Sequence, residues 1–239
     1  MRPLNEKSSI DDIRKRFDGF VERFSNLDTG QRTLIDARLM LDLVAETATG
    51  AIKPNGTILD IGCGAGNQTL TVLARISPLN CTLVDLSAPM LERAKERVSA
   101  QTSGRVTTLQ SDMRELQFAS HSFDVIVCGA VLHHLREDLD WVAMFGRLFE
   151  WLKPGGMLLV SDMVSFDEPH IHQIMWQRYG KYLEEIGGEE FRKTVFGYIE
   201  EEDSPRSLSY QLELLRRTGF SSWDVLHRNS VFASYFGKK

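Results

Sequence analysis

The hydrophobic and polar positions divide this chain into a central region of regular alternation and two ends that depart from it. From residue 57 onwards, short apolar runs predict buried strands, and the segments between them carry apolar residues at the spacing of amphipathic helices. Such an alternation is typical of a parallel sheet with helices on both faces. We expect strands at 57–61, 81–85, 106–110, 123–128 and 157–161, and helices at 68–76, 89–100 and 141–151.

The N-terminal end predicts helices only. Ser9, followed three residues later by Asp12, is typical of a helix that begins with a capping box. A second helix is expected over 32–47, and we interpret residues 1–50 as a helical cap. The first helix has an apolar face that either packs against the domain or covers a pocket, formed by Ile13, Phe17, Phe20 and Phe24.

The alternation stops after the fifth strand. Residues 163–205 predict no strand and contain acidic clusters and an aromatic helical stretch, so we interpret them as a lid inserted into a domain that covers 51–239. A helix is expected at 208–218, followed by two strands, WDVLHR and SVFASYF. Because only a short turn joins these strands, they must be antiparallel.

The segment ILDIGCGAGNQT, after the first strand, suggests a ligand site. Asp60 ends the strand, and Gly62, Gly64 and Gly66 allow the backbone to turn tightly and approach a ligand closely. The next helix begins there and offers free N–H groups. A dinucleotide loop would require G-x-G-x-x-G, but Asn67 stands at the last glycine position, which disfavours a dehydrogenase.

Two further acids end the next two strands. Asp85 lies about twenty residues beyond the glycines, where a carboxylate can accept both ribose hydroxyls. Asp112 follows the third strand and can accept from an exocyclic amine, while Met113 can pack on a ring. In a parallel sheet these strand ends meet at one edge, so the three segments predict a single site.

Five segments taken together resemble the class I S-adenosylmethionine-dependent methyltransferases: LDIGCGAGNQTL, VDLSAPMLERAK, LQSDMREL, FDVIVCGAVLHHL and LKPGGMLLVSDM. The resemblance implies an α/β fold, a doubly wound, Rossmann-like, seven-stranded sheet that is mostly parallel with an antiparallel last strand. Here it would carry N-terminal helices and a helical insert after strand five. It also implies S-adenosylmethionine as the cofactor. The implied cofactor-binding residues are Asp60, Gly62, Cys63, Gly64, Gly66, Asp85, Leu86, Met90, Asp112, Met113, Gly129 and Ala130.

Catalytic residues are less clearly indicated. Methyl transfer is an in-line displacement, in which a general base is optional and depends on the acceptor. His133 and His134 follow the fourth strand, and Asp162 ends the fifth, so each is a weak candidate for an active-site role. His170 and His172 lack partner ligands at a recognised spacing, and we predict no metal site.

Two alternatives to a small-molecule methyltransferase remain open. FDGFVERF, SFDEPHIHQIMW and EEDSPRSLSYQLELLRRTGF are similar to the carboxy-S-adenosylmethionine synthase family, which acts in tRNA wobble-uridine modification and uses a late-helix arginine to hold the added carboxylate. In this chain Leu214 stands near that place, with Arg216 and Arg217 shifted. The other alternative is a protein that binds S-adenosylmethionine without turnover.

Composition restricts the partners. The chain has 239 residues, with 28 Lys and Arg against 33 Asp and Glu and a net charge of −5, which disfavours a long nucleic acid. Cys63, Cys81 and Cys128 form neither a disulfide framework nor a zinc motif. With no secretory signal and no apolar run long enough for a bilayer, we expect a cytoplasmic protein away from the membrane, with a homodimer left open.

Overall fold

A computed structural model describes residues 3–26 and 30–239. The expected helical cap over 1–50 includes residues 1–2 and 27–29, which lie outside this described part. No helix within the described ranges combines the length and the apolar character that crossing a membrane requires.

Helices and strands alternate through the central region as the apolar pattern indicates. The helices are α1 (Ile10–Asp18), α2 (Val21–Ser25), α3 (Ala37–Ala48), α4 (Asn67–Leu73), α5 (Ala88–Ser99), α6 (Asp138–Trp151), α7 (Pro169–Glu202) and α8 (Leu208–Thr218). The strands are β1 (Thr57–Ile61), β2 (Asn80–Asp85), β3 (Val106–Gln110), β4 (Phe123–Gly129), β5 (Leu152–Met163), β6 (Ser222–Asn229) and β7 (Phe232–Lys238).

The seven strands form one sheet in the order β3-β2-β1-β4-β5-β7-β6. Strands β1 to β5 pair in parallel, and β7 runs antiparallel to both of its neighbours. The predicted doubly wound, mostly parallel sheet with an antiparallel last strand is confirmed. The strand order reverses between β1 and β4, and in such sheets a crevice opens at that point beyond the carboxyl ends of the strands.

The core lies on both faces of the sheet because successive side chains of a buried strand point to opposite sides. In β1, Ile58 belongs to the cluster under α3, α4 and α5, whereas Leu59 belongs to the cluster under α6 and α8. Cys63, Cys81 and Cys128 are buried free thiols. This two-sided burial explains why the strands read as nearly continuous apolar runs.

The N-terminal helices differ from the predicted ones. Ser9 caps α1 with the expected capping box, but the helix ends at Asp18, and α2 continues after a break at Gly19 and Phe20. The second helix, expected over 32–47, begins only at Ala37. The residue before it, Asp36, has a φ of 58°, a left-handed conformation that a regular helix does not contain.

The insert is mostly one long helix. α7 has 34 residues and is interrupted at Gly188, where φ is 82° and ψ is 176°. Its carboxyl end contacts the N-terminal segment, because Arg16 of α1 forms an ion pair with Glu202 and Lys7 donates to the carbonyl oxygen of Asp203. The N-terminal helices and the insert are therefore fastened to each other beside the sheet.

Candidate active site

A cavity lies at the carboxyl edge of the sheet, where the strand order reverses. One wall consists of the loop after β1 and the ends of β2, β3 and β4. The opposite wall comes from α1, α2, α3 and the segment before α3. Ten of the twelve predicted cofactor-binding residues line the cavity: Gly62, Cys63, Gly64, Asp85, Leu86, Met90, Asp112, Met113, Gly129 and Ala130.

The three glycines of the loop have positive φ angles of 70°, 49° and 85°, but each has its own packing reason. A Cβ on Gly62 would lie 2.5 Å from Val131, and one on Gly66 would lie 3.1 Å from Val98. Gly64 has open space where its Cβ would stand, on a backbone that lines the cavity. Gly66 does not line the cavity, since it precedes α4 and packs against α5.

Asp60 lies beneath the loop and does not line the cavity. It is fully buried and accepts hydrogen bonds from the hydroxyl and the backbone N–H of Thr69, at 2.7 and 3.3 Å. Burial raises the pKa of Asp60 to about 7, although the bonds from Thr69 oppose the shift. This carboxyl group therefore holds α4 against the loop from below.

Asp85 lies at the cavity edge and shapes the loop. Its carboxylate accepts from the backbone N–H of Gly64 at 2.8 Å and from that of Ser87 at 2.9 Å. Burial raises its pKa, against the opposing effect of these backbone bonds. A hydroxyl group in the cavity can bond to the lone pairs that remain on this acceptor.

The Asp112 carboxylate accepts hydrogen bonds from a nearby arginine. Arg114 donates to both of its carboxylate oxygens, at 3.0 Å from Nε and 2.6 Å from Nη2. Burial works against ionisation of Asp112, but the hydrogen bonds from Arg114 outweigh it and lower the pKa. Met113 adds a buried apolar surface beside this pair.

Of the three weak catalytic candidates, one lines the cavity and two do not. His134 lines the cavity, whereas His133 and Asp162 are buried and do not. Asp162 accepts from the backbone N–H of Leu132 at 2.7 Å and pairs with Nδ1 of His133. Burial alone would lower the pKa of His133, but the charges of Asp162 and Asp203 raise it to about 9.

The sequence reasoning missed several residues of the site. Arg136 lines the cavity, and its side chain donates to the carbonyl oxygen of Ser8. Arg97 of α5 holds the loop by donating to the carbonyl oxygen of Ala65. Asp203, read only as part of an acidic cluster, lies within 3.6 Å of both histidine rings. No local motif marks these residues, because tertiary packing alone brings them to the site.

The fold and the cavity define a class of protein, the Rossmann-like proteins with a ligand site at the switch point of a seven-stranded sheet. Residues 58–156 match a family model described as a methyltransferase domain. The chain has the Rossmann-like fold of the class I S-adenosylmethionine-dependent methyltransferases.

Known proteins similar to this chain fall into two groups. The carboxy-S-adenosyl-L-methionine synthase of Vibrio cholerae is 27% identical over 226 residues, which cover 92% of this chain and 91% of that protein. Human N-acetylserotonin methyltransferase, solved with its cofactor, has a TM-score of 0.59 at 17% identity, covering 95% of this chain and 56% of that one. A methyltransferase from Methanosarcina mazei has a TM-score of 0.59 at 18% identity, covering 80% and 95%. These two structures share the fold.

S-adenosylmethionine is the cofactor that the methyltransferase-domain match supports, and the cavity fits it. Gly64 leaves an open space that a Cβ would fill, so the backbone can lie directly against a ligand. Asp85 presents an acceptor at the end of β2, where a ribose lies in folds of this kind. Leu86 and Met113 line the cavity and supply apolar surface for a ring.

Proposed function

We propose that this chain transfers a methyl group from S-adenosylmethionine to a small-molecule acceptor. The observation that carries the proposal is the wall opposite the glycine loop. It closes the cavity with apolar side chains from the N-terminal helices, which favours a small acceptor over a polymer. The residues of this wall are Ile10, Ile13, Phe17, Phe24, Leu34 and Met40.

The chain would contribute mainly alignment. When bound, S-adenosylmethionine would supply an activated methyl group for an acceptor lone pair, with S-adenosylhomocysteine as the leaving group. Holding two reactants in line contributes about 7–11 kcal/mol to such a step. Gly129 ends β4 at the cavity, Ala130 follows it, and both would lie beside the reacting sulfur. The apolar wall would keep water away from the transfer.

The late helix α8 favours a methyltransferase over a synthase that holds a carboxylated cofactor. Arg216 is exposed and forms an ion pair with Glu213 on the helix surface. Leu214 is only 3% exposed and packs in the core beneath the sheet. Neither arginine of this helix, Arg216 or Arg217, lines the cavity.

A carboxy-S-adenosylmethionine synthase activity is a second candidate because one observation favours it. Arg136 lines the cavity from a different element, and within the described residues its side chain bonds to a backbone carbonyl oxygen rather than to a carboxylate. An arginine in that state can donate two hydrogen bonds to a carboxylate of a ligand. The similarity to the Vibrio cholerae synthase extends over most of both chains.

Turnover with a labelled methyl group tests the proposal. The purified chain would be incubated with methyl-labelled S-adenosylmethionine and pools of small metabolites, and both labelled product and S-adenosylhomocysteine would be measured. We expect the two to appear in equal amounts with at least one pool. The Gly64→Val variant, which should not hold the cofactor, is the matched blank. Release that never exceeds this blank would identify a non-catalytic binding protein instead.

A further inference from the structure

Three side chains of types that commonly bind metal ions, two histidines and one aspartate, lie close together beside the cavity. They are His133 and His134, which follow β4, and Asp203, which follows α7. One donor atom from each lies within 4.8 Å of the other two. His133 and Asp203 are buried, and His134 is half-buried and lines the cavity. Only the fold brings Asp203 of the insert to the two histidines.

The distances in this cluster are compatible with three ligands of a common ion. Asp203 Oδ1 is 3.6 Å from Nε2 of His133, which is too long for a hydrogen bond, and 3.2 Å from Nδ1 of His134. The latter pair lacks hydrogen-bond alignment, and His134 Nδ1 is a buried atom without a hydrogen-bond partner among the described residues. A tetrahedral ion with bonds of about 2.0–2.1 Å holds its ligand atoms about 3.3 Å apart.

The hydrogen-bond partners of His133 resemble those that orient the histidine ligands of a metal site. A metal-bound histidine commonly gives its second ring nitrogen to a carboxylate, which fixes the orientation of the ring. Here Nδ1 of His133 pairs with Asp162, which leaves Nε2 facing Asp203. The Asp162 carboxylate is itself held by the backbone N–H of Leu132. The ring of His133 is thus fixed with its other nitrogen toward the proposed ion.

The charges of the cluster also fit a divalent ion. Glu202 already pairs with Arg16, so its charge is matched. Asp162 and Asp203 are two further buried carboxylates that face the same histidine. Buried carboxylates require a compensating positive charge, and one divalent ion supplies two.

We propose that His133, His134 and Asp203 bind a divalent transition-metal ion, with zinc as the expected metal. Two imidazoles and one carboxylate suit zinc or iron(II) rather than magnesium or calcium, which prefer oxygen ligands. Three protein ligands leave a fourth position open, as in catalytic rather than structural zinc sites.

This inference rests on the proposed methyl transfer. Given that reaction, the metal site would restrict the chemical class of the methyl acceptor. Of the three proposed ligands, His134 lines the cavity, so an oxygen or sulfur of a bound acceptor would approach the ion from that side. A metal ion lowers the pKa of a bound hydroxyl or thiol and so produces the nucleophile at neutral pH. The inference therefore points to an acceptor that carries a hydroxyl or thiol group.

Metal binding by the whole chain tests this inference directly. Protein stripped with a chelator would be dialysed against zinc, iron(II) or magnesium, and the metal content measured by mass spectrometry. We expect one zinc ion per chain and no retained magnesium. Cobalt(II) loading should give the intense visible absorption of a four-coordinate site. Stripped wild-type protein that takes up neither zinc nor iron(II) would overturn the inference.

Variants locate the ion and do not depend on turnover. Asp203→Asn and His134→Gln should each lose the bound zinc while retaining the wild-type circular dichroism spectrum. His172→Ala on α7 is the matched control, because His172 lies outside the cluster, and it should retain the ion. Loss of zinc from the His172 variant alone would place the ion elsewhere and overturn the assignment.

Cofactor titration separates this inference from the proposed function. Stripped wild-type protein should still bind S-adenosylmethionine, because none of the three proposed ligands is among the predicted cofactor-binding residues. Protein that binds the cofactor but no metal would refute only the metal site. Protein that binds zinc but never releases S-adenosylhomocysteine would refute only the methyl transfer.

Discussion

The two walls of the cavity are built by different means. The sheet-edge wall uses backbone and short side chains from one continuous alternation of strands and helices, with Asp60 and Asp85 fixing the glycine loop. The helical wall is assembled from α1, α2 and α3, and α1 is held by distant contacts such as Arg16 with Glu202. The difference shows that the sheet-edge wall is specified locally, whereas the helical wall depends on tertiary packing.

The largest effect should come from the loop of the sheet-edge wall. Gly64→Val places a branched side chain at a φ of 49°, in open space at the cavity. We expect a folded protein that no longer binds S-adenosylmethionine measurably by calorimetry. Gly155→Val is the matched control, because Gly155 has a φ of 78°, equally open space and a position outside the cavity. The control carries a similar backbone strain, about 1–2 kcal/mol. Equal binding by both variants would mean that the loop does not contact the cofactor.

The contribution of Asp60, which lies beneath the glycine loop, to the free energy of unfolding should depend on pH. The folded-state pKa of Asp60 is raised from 3.8 to about 7, so its favourable contribution is complete below pH 4 and is lost as the pH rises through 7. Asp60→Asn removes this titration. The stability of the wild type relative to the variant should therefore fall by up to about 4 kcal/mol across that range. Urea unfolding of both proteins at several pH values measures this difference, and a pH-independent difference would contradict the account.

A smaller effect is expected at the ribose position. Asp85→Ala removes an acceptor for the cofactor and for the N–H of Gly64. Loss of a charge-assisted hydrogen bond costs about 1.5–3 kcal/mol, so affinity should weaken about tenfold or more. Asp224→Ala, on the exposed strand β6, is the control and should bind normally. Calorimetric titration with unchanged affinity in the Asp85 variant would refute the assignment.

The smallest effect is expected in the helical wall, as a change in its hydrogen-exchange rates when ligand binds. On addition of S-adenosylhomocysteine, we expect slower hydrogen exchange in α1, which lines the cavity, and in the carboxyl end of α7, which is bonded to α1. Residues 208–218 of α8 serve as the internal reference, since they do not line the cavity. Identical exchange of α1 in the free and bound protein would mean that this wall does not close over the ligand.

The same contrast explains how far the sequence could be interpreted. Strand positions and the ends of β1, β2 and β4 could be predicted because burial and backbone geometry restrict residue types locally. Asp203 could not, since nothing near it in the sequence indicates that α7 brings it to His133 and His134. The predicted start of the second helix was wrong by several residues. Asp36, just before α3, has a left-handed backbone conformation that interrupts an otherwise helical apolar pattern.

Identification of the molecule that purifies with the chain tests the central claim most directly. Freshly purified protein would be denatured and the released small molecules measured by mass spectrometry. We expect S-adenosylmethionine or S-adenosylhomocysteine, because neither arginine of α8 reaches the cavity to hold an added carboxylate. An Arg136→Ala variant measured in parallel should yield the same molecule. A carboxylated cofactor from the wild type, lost from the Arg136 variant, would contradict the methyltransferase account and establish the synthase.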